Sequence, residues 1–153
     1  MDLKEQYDKL LRYCYAKTED RYLAEDIVQE TFLKFWQAKS YKDTGKELAY
    51  LYTIARNLCM DEFRKARTED IENVSDRNLQ YGNIDDDIDR IELNHALDML
   101  PDDLREIVIL RYANEVSVTD IGKIMGVSRF VIHRRLKKGL SMLRSMIEGD
   151  EEK

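Results

Sequence analysis

The sequence predicts an all-α protein: two small helical domains joined by an acidic linker, the C-terminal one a helix-turn-helix. Three observations predict it. The 153 residues contain only six glycines and one proline, so turn-forming positions are few. Apolar residues recur three and four apart along both ends of the chain, the period of a helix with one buried face. Charge is divided by segment. Residues 1–67 carry 13 basic and 12 acidic groups, and residues 94–147 carry nine basic and six acidic. Between them, residues 68–93 hold two basic and nine acidic groups and few apolar ones. A core-poor acidic stretch of that length reads as a linker between domains. A short acidic tail, 148–153, closes the chain.

The first helix is expected where Leu3, Tyr7, Leu10, Leu11 and Cys14 share a face. The second follows Leu23, Ala24, Ile27, Val28, Thr31, Phe32 and Phe35. Its opposite face carries Asp26, Gln29, Glu30, Leu33 and Gln37. A leucine set among Gln29, Glu30 and Trp36 suits either a protein-binding surface or an ordinary solvated face. Gly45 and the polar run 40–46 mark a loop. A third helix is expected over 47–65, with Leu48, Leu51, Ala55, Leu58, Cys59 and Phe63 inward. Tyr50, Thr53, Asn57, Asp61 and Arg64 share its outer face, flanked by Arg56 and Lys65. Aromatic, amide and basic groups on one face suit base stacking and phosphate contact, or a mixed polar surface.

In the second half, Leu100-Pro101-Asp102-Asp103 opens a helix, with proline at its first position and acids at the positive end of the dipole. Leu104, Ile107, Val108 and Leu110 continue it. Ser117 is placed to cap a short helix over 118–125, with Asp120 three residues on. Gly126-Val127 forms a tight turn, and Ser128 caps a longer helix to about 146. Two helices joined by a glycine turn make a helix-turn-helix. Ile121, Met125, Val127, Ile132 and Leu136 supply its apolar contacts, and Gly122 leaves room where the helices cross. From Ser128 to Arg144 there are six basic residues and no acidic one. A capped, basic second helix suits a reader of the DNA major groove. Arg129, Phe130, His133 and Arg134 stand near its start, within reach of base edges. Arg135, Lys137 and Lys138 suit phosphates, the last two equally well solvent.

Other classes are poorly supported. A net charge of -6 argues against gripping nucleic acid by bulk charge. No apolar run approaches the roughly 20 residues that span a bilayer, so no membrane insertion is expected. The N-terminus shows no secretory signal, so a cytoplasmic location is expected. Cys14 and Cys59 lack any Cys-x-x-Cys spacing and are read as packing residues. His95 and His133 have no ligand partners at metal spacing. No nucleophile sits beside a base and no phosphate-binding glycine loop is present. Neither a cofactor, a metal nor an enzymatic activity is expected.

Three stretches resemble one known family. Residues 24–36, Ala-Glu-Asp-Ile-Val-Gln-Glu-Thr-Phe-Leu-Lys-Phe-Trp, resemble the polymerase-binding helix of bacterial sigma factors of the extracytoplasmic-function group. Residues 51–58 resemble their next signature helix. Leu100-Pro101 through Tyr112, then 117–144, resemble their C-terminal helix-turn-helix. The resemblance implies a promoter-specificity factor that binds core RNA polymerase and directs initiation at promoters with −10 and −35 elements. It would place Asp26, Gln29, Glu30 and Leu33 on the polymerase clamp. Tyr50, Asn57, Asp61, Arg64 and Lys65, with the 40–46 loop, would lie near the melted −10 strand. Ser128, Arg129, Phe130, His133, Arg134, Arg135 and Lys138 would read or grip the −35 element. The linker's charge would mimic RNA in the exit path. An anti-sigma factor, often membrane-anchored, would hold the factor inactive and tether it indirectly, and the free chain would be a monomer.

Three positions depart from the family pattern. Tyr50 stands where tryptophan is common. Gly122 stands where alanine is common, at a cost of up to about 1 kcal/mol in helix propensity. Arg129-Phe130 replaces acidic or small residues at the start of the reading helix. The alternative is a self-standing helix-turn-helix regulator, which would need a dimer interface; no heptad run supplies one.

Overall fold

The computed structural model describes residues 2–38, 47–68 and 88–151. Among them there are seven α-helices and no strand. The chain divides into two compact units, Met1–Leu79 and Gln80–Lys153.

The first unit holds α1 (Leu3–Thr18), α2 (Arg21–Gln37) and α3 (Glu47–Thr68), each packed on the other two. The α1–α2 corner is made by local chemistry. Glu19 adopts the left-handed conformation, φ 58°, and its N–H donates to the Tyr15 carbonyl at 2.8 Å. The Asp20 carboxylate then accepts from the Tyr22 and Leu23 amides at 3.0 and 3.2 Å, an N-cap that starts α2 at once. Asp2 caps α1 in the same way.

The core of this unit contains Leu10, Tyr13, Cys14, Ala24, Ile27, Val28, Thr31, Leu51, Tyr52, Ala55 and Cys59. Tyr13 and Tyr52 meet edge-on, with centroids 5.5 Å apart. Neither tyrosine belongs to the expected apolar stripes. Phe63, expected inward, is instead 46% exposed. It lies one turn beyond Cys59, the last buried residue of α3 among those described, where the helix has left the three-helix core. Cys14 and Cys59 are buried as expected, and they face each other as free thiols. A hydrogen bond shared with Cys59, then burial, push the Cys14 thiol well above its ordinary pKa.

The second unit holds α4 (Ile88–Met99), α5 (Asp102–Val108), α6 (Val118–Met125) and α7 (Arg129–Glu151). Pro101 sits at the N-cap of α5, one residue earlier than expected, with extended ψ of 146°. Helix α5 widens at its end into a π turn, Ile109–Ala113. Helices α4, α5 and α6 all pack against α7, which contributes Ile132, Leu136, Gly139 and Leu143 to the core. Gly139 lets α5 come close: a Cβ there would lie 3.1 Å from the Val108 side chain.

The segment boundaries differ from the sequence reading at both acidic stretches. Helix α4 begins at Ile88, inside the expected 68–93 linker, and Thr68 still belongs to α3. Helix α7 runs to Glu151, past the expected end near 146 and into the acidic tail. The 40–46 loop, residues 69–87 with Asp85-Asp86-Asp87, and residues 152–153 lie outside the described residues.

Candidate polymerase and DNA interfaces

The turn before α7 is built by three residues. Ser117 accepts from the Asp120 amide at 3.1 Å and starts α6. Gly126 ends it at φ 73°, a conformation in which a side chain is strained. Ser128 then accepts from the Val131 amide at 3.3 Å and starts α7. Gly122 lies under this turn. A Cβ there would sit 2.8 Å from the Val127 carbonyl oxygen, and the Gly122 carbonyl accepts from the Val127 amide at 3.0 Å. The propensity cost of this glycine is thus offset by the close approach it permits.

Helix α7 has two contrasting faces. Ile132, Leu136, Gly139 and Leu143 are buried. Phe130, Arg134 and Lys137, at spacings of four and three, run along the opposite, exposed ridge. His133, Lys138 and Arg144 flank it and are exposed; Arg135 is half-buried. Arg129 is exposed, its guanidinium carbon 5.2 Å from the centroid of the Phe130 ring. Ser128, Arg129, Phe130, His133, Arg134, Arg135 and Lys138 therefore lie together in the first three turns of one basic helix. Its capped N-terminus is the end that enters a groove in helix-turn-helix proteins.

Helix α2 presents a different surface. Asp26, Gln29, Glu30 and Leu33 are all exposed on its outer face, Leu33 at 57%. Trp36, one turn beyond Leu33, is 58% exposed and is backed by Phe32 at 5.6 Å. The surface thus has an acidic half and an apolar half. Lys34 and Glu30 are 4.0 Å apart at its edge.

On α3, Asn57, Asp61, Arg64 and Lys65 are exposed, while Tyr50 is half-buried with its ring 5.9 Å from Phe35. Arg64 pairs with Asp61, and Lys65 with Glu62 at 3.4 Å. Such exposed pairs are worth little, so phosphates can displace the carboxylates at small cost. The sequence reading did not assign Met60 or Phe63 to this surface. Both are exposed, and in a periodic helix their position gave no sign of it.

Among the described residues no group of His, Cys, Asp and Glu is arranged to hold a metal, and no helix is long and apolar enough to cross a membrane.

A first unit of three helices that leaves a half-acidic, half-apolar face exposed, and a second unit built on a basic helix-turn-helix, are the features of the helix-turn-helix class of proteins. Comparison with known proteins narrows this class. Residues 3–69 match the family model for sigma-70 region 2, and residues 96–145 match that for sigma-70 region 4. The chain is 29% identical to the ECF RNA polymerase sigma factor SigW of Bacillus subtilis, over 92% of this chain and 83% of that protein. It is 30% identical to the ECF sigma factor SigL of Mycobacterium tuberculosis, over 91% and 82% of the two chains. Among solved structures it is similar to the sigma factor RpoE of Bartonella quintana, crystallised with the anti-sigma factor NepR. That similarity has a TM-score of 0.71 and 28% identity, covering 96% of this chain and 97% of that one. The chain belongs to the ECF group of RNA polymerase sigma factors, the promoter-specificity subunits that bind core polymerase and direct transcription initiation.

Proposed function

We propose that the two units divide the work of promoter recognition. Asp26, Gln29, Glu30 and Leu33 on α2 dock on the clamp of core RNA polymerase, with Trp36 extending the apolar half of that contact. Tyr50, Asn57, Asp61, Arg64 and Lys65 on α3 lie against the melted −10 strand. Ser128, Arg129, Phe130, His133, Arg134, Arg135 and Lys138 on α7 meet the −35 element in the major groove. The chain carries out no catalysis of its own and needs no cofactor. It acts in the cytoplasm as a monomer until it joins the polymerase, and an anti-sigma factor holds it inactive, as the complex of the similar RpoE chain with NepR suggests.

The observation that carries this reading is the division of α7. One face supplies the unit's core, and the other, from Ser128 to Arg144, bears six basic residues and no acidic one. A helix of this kind gains by facing phosphates and base edges. Affinity then comes from coupling a modest DNA contact to a modest polymerase contact within one assembly.

The test mixes the purified chain with bacterial core polymerase, isolates the complex by size and assays run-off transcription from a genomic promoter pool. A stable complex with selective transcripts sharing two upstream elements is expected. Loss of transcripts in the Arg134→Ala, Arg135→Ala double variant, with the complex retained, assigns the −35 role to α7. Retention of selective transcripts in that variant overturns the assignment.

A further inference from the structure

We propose that Phe130 is a base-reading residue, its ring packing on the 5-methyl group of a thymine in the −35 element. The proposal deepens the reading above and rests on it: α7 must lie in the major groove.

Phe130 is 68% exposed, more than the other exposed large apolar side chains among the described residues of its unit, Met99 at 63%, Tyr112 at 54% and Leu93 at 40%. It therefore does little for the core. It stands at the second position of α7, on the ridge it shares with Arg134 and Lys137 and opposite the fully buried Ile132. That is the part of a recognition helix that reaches base edges. The Arg129 guanidinium lies over the ring, 5.2 Å from its centroid, which holds the ring at the surface and brings positive charge beside it. Arg129 covers one face of the ring, and the exposed remainder is open to a base.

The chemistry of the groove selects the base. Adenine, guanine and cytosine offer only donors and acceptors at their major-groove edges, whereas thymine adds a methyl group. A phenyl ring can satisfy no donor or acceptor. Placed over a cytosine amine or a guanine carbonyl it strands a polar group away from water, which is costly. Placed over a thymine methyl it buries apolar surface on both sides.

The experiment uses holoenzyme assembled from core polymerase and the full chain. A −35 element is first selected from a randomised library with the unaltered protein. Each thymine on either strand is then replaced by deoxyuridine, which removes only the methyl group. At one position the unaltered holoenzyme loses about fourfold in promoter affinity, the worth of one buried methyl. Phe130→Ala, an exposed substitution, binds the thymine template more weakly than the unaltered protein does and no longer distinguishes it from the uracil template. The proposal is overturned if the selected element has no thymine whose methyl matters, or if Phe130→Ala keeps the full penalty for uracil. Failure of the underlying reading looks different: Arg134→Ala with Arg135→Ala would leave promoter selectivity intact.

Discussion

Leu33 offers a direct measurement of what the exposed face of α2 is worth. The residue is 57% exposed in the free chain, so a partner can still remove about half of a leucine's surface from water. Burying a whole leucine is worth about 1.5–3 kcal/mol, so the remaining share is worth about 1–1.5 kcal/mol. Leu33→Asp forfeits that share. It also puts a carboxylate where an apolar partner is expected, costing roughly another 1–3 kcal/mol of desolvation. The loss of about 2–4 kcal/mol corresponds to roughly a 30- to 1000-fold weaker complex with core polymerase. Leu33→Ala forfeits only the apolar area and should weaken the complex by about tenfold or less. The free chain should hardly notice either change. Leu33 points away from the core, so Leu33→Asp costs only helix propensity, about 0.7 kcal/mol or less. Titration of a fluorescently labelled chain with core polymerase reads the affinity, and thermal unfolding of the free chain reads the stability. An affinity within threefold of the unaltered chain, at unchanged stability, would refute the docking role of this face.

Ile132→Ala removes a fully buried side chain from the one helix on which α4, α5 and α6 all pack, so it should cost about 2–5 kcal/mol. Denaturant unfolding followed on the second unit measures it, and a loss under 1 kcal/mol would mean that α7 is not the centre of that core. The free chain should bind promoter fragments weakly at physiological salt. In holoenzyme, Arg135→Ala with Lys138→Ala should lower the slope of log affinity against log salt by about 2, as two phosphate contacts require; tight specific binding by the free chain, or an unchanged slope, contradicts this. Because the folded Cys14 pKa is raised, the stability it contributes is complete below the unfolded thiol value of about 8.5 and is lost as pH rises toward the folded value. Melting should therefore fall between pH 8 and pH 10 by more in the unaltered chain than in Cys14→Ala, and equal falls would show that the thiol pair does not matter.

Much of the second unit was legible residue by residue. Ser117, Gly126 and Ser128 act within three or four positions of themselves, so their caps and turn could be placed before any packing was known. The span of α6 followed from them. The stripe of α2 was legible for the same reason: one period, with no interruption. Features set by distant neighbours were not. Tyr13 and Tyr52 look amphipathic in isolation and become core where α1, α2 and α3 pack, meeting edge-on. Gly139 is an ordinary helical glycine until Val108 lies 3.1 Å from where its Cβ would be. Cys14 and Cys59 are 45 positions apart, and nothing in either one's surroundings announces the other. The π turn after Val108 carries no punctuating glycine or proline. At the candidate interfaces, periodicity sorted the outward residues of α2 correctly, and those of α7 apart from the half-buried Arg135. It misplaced Phe63 because it cannot report where a helix leaves the core.

The two faces of α7 have a consequence for how such a protein can diverge. Ile132, Leu136, Gly139 and Leu143 hold the unit together, whereas Arg129, Phe130, His133 and Arg134 touch almost nothing that stabilises it. Exposed substitutions of that kind usually change stability by no more than about 0.5 kcal/mol. A duplicated gene can therefore exchange its reading residues one at a time, each intermediate folding as well as the last, and arrive at a different set of promoters without passing through an unstable protein.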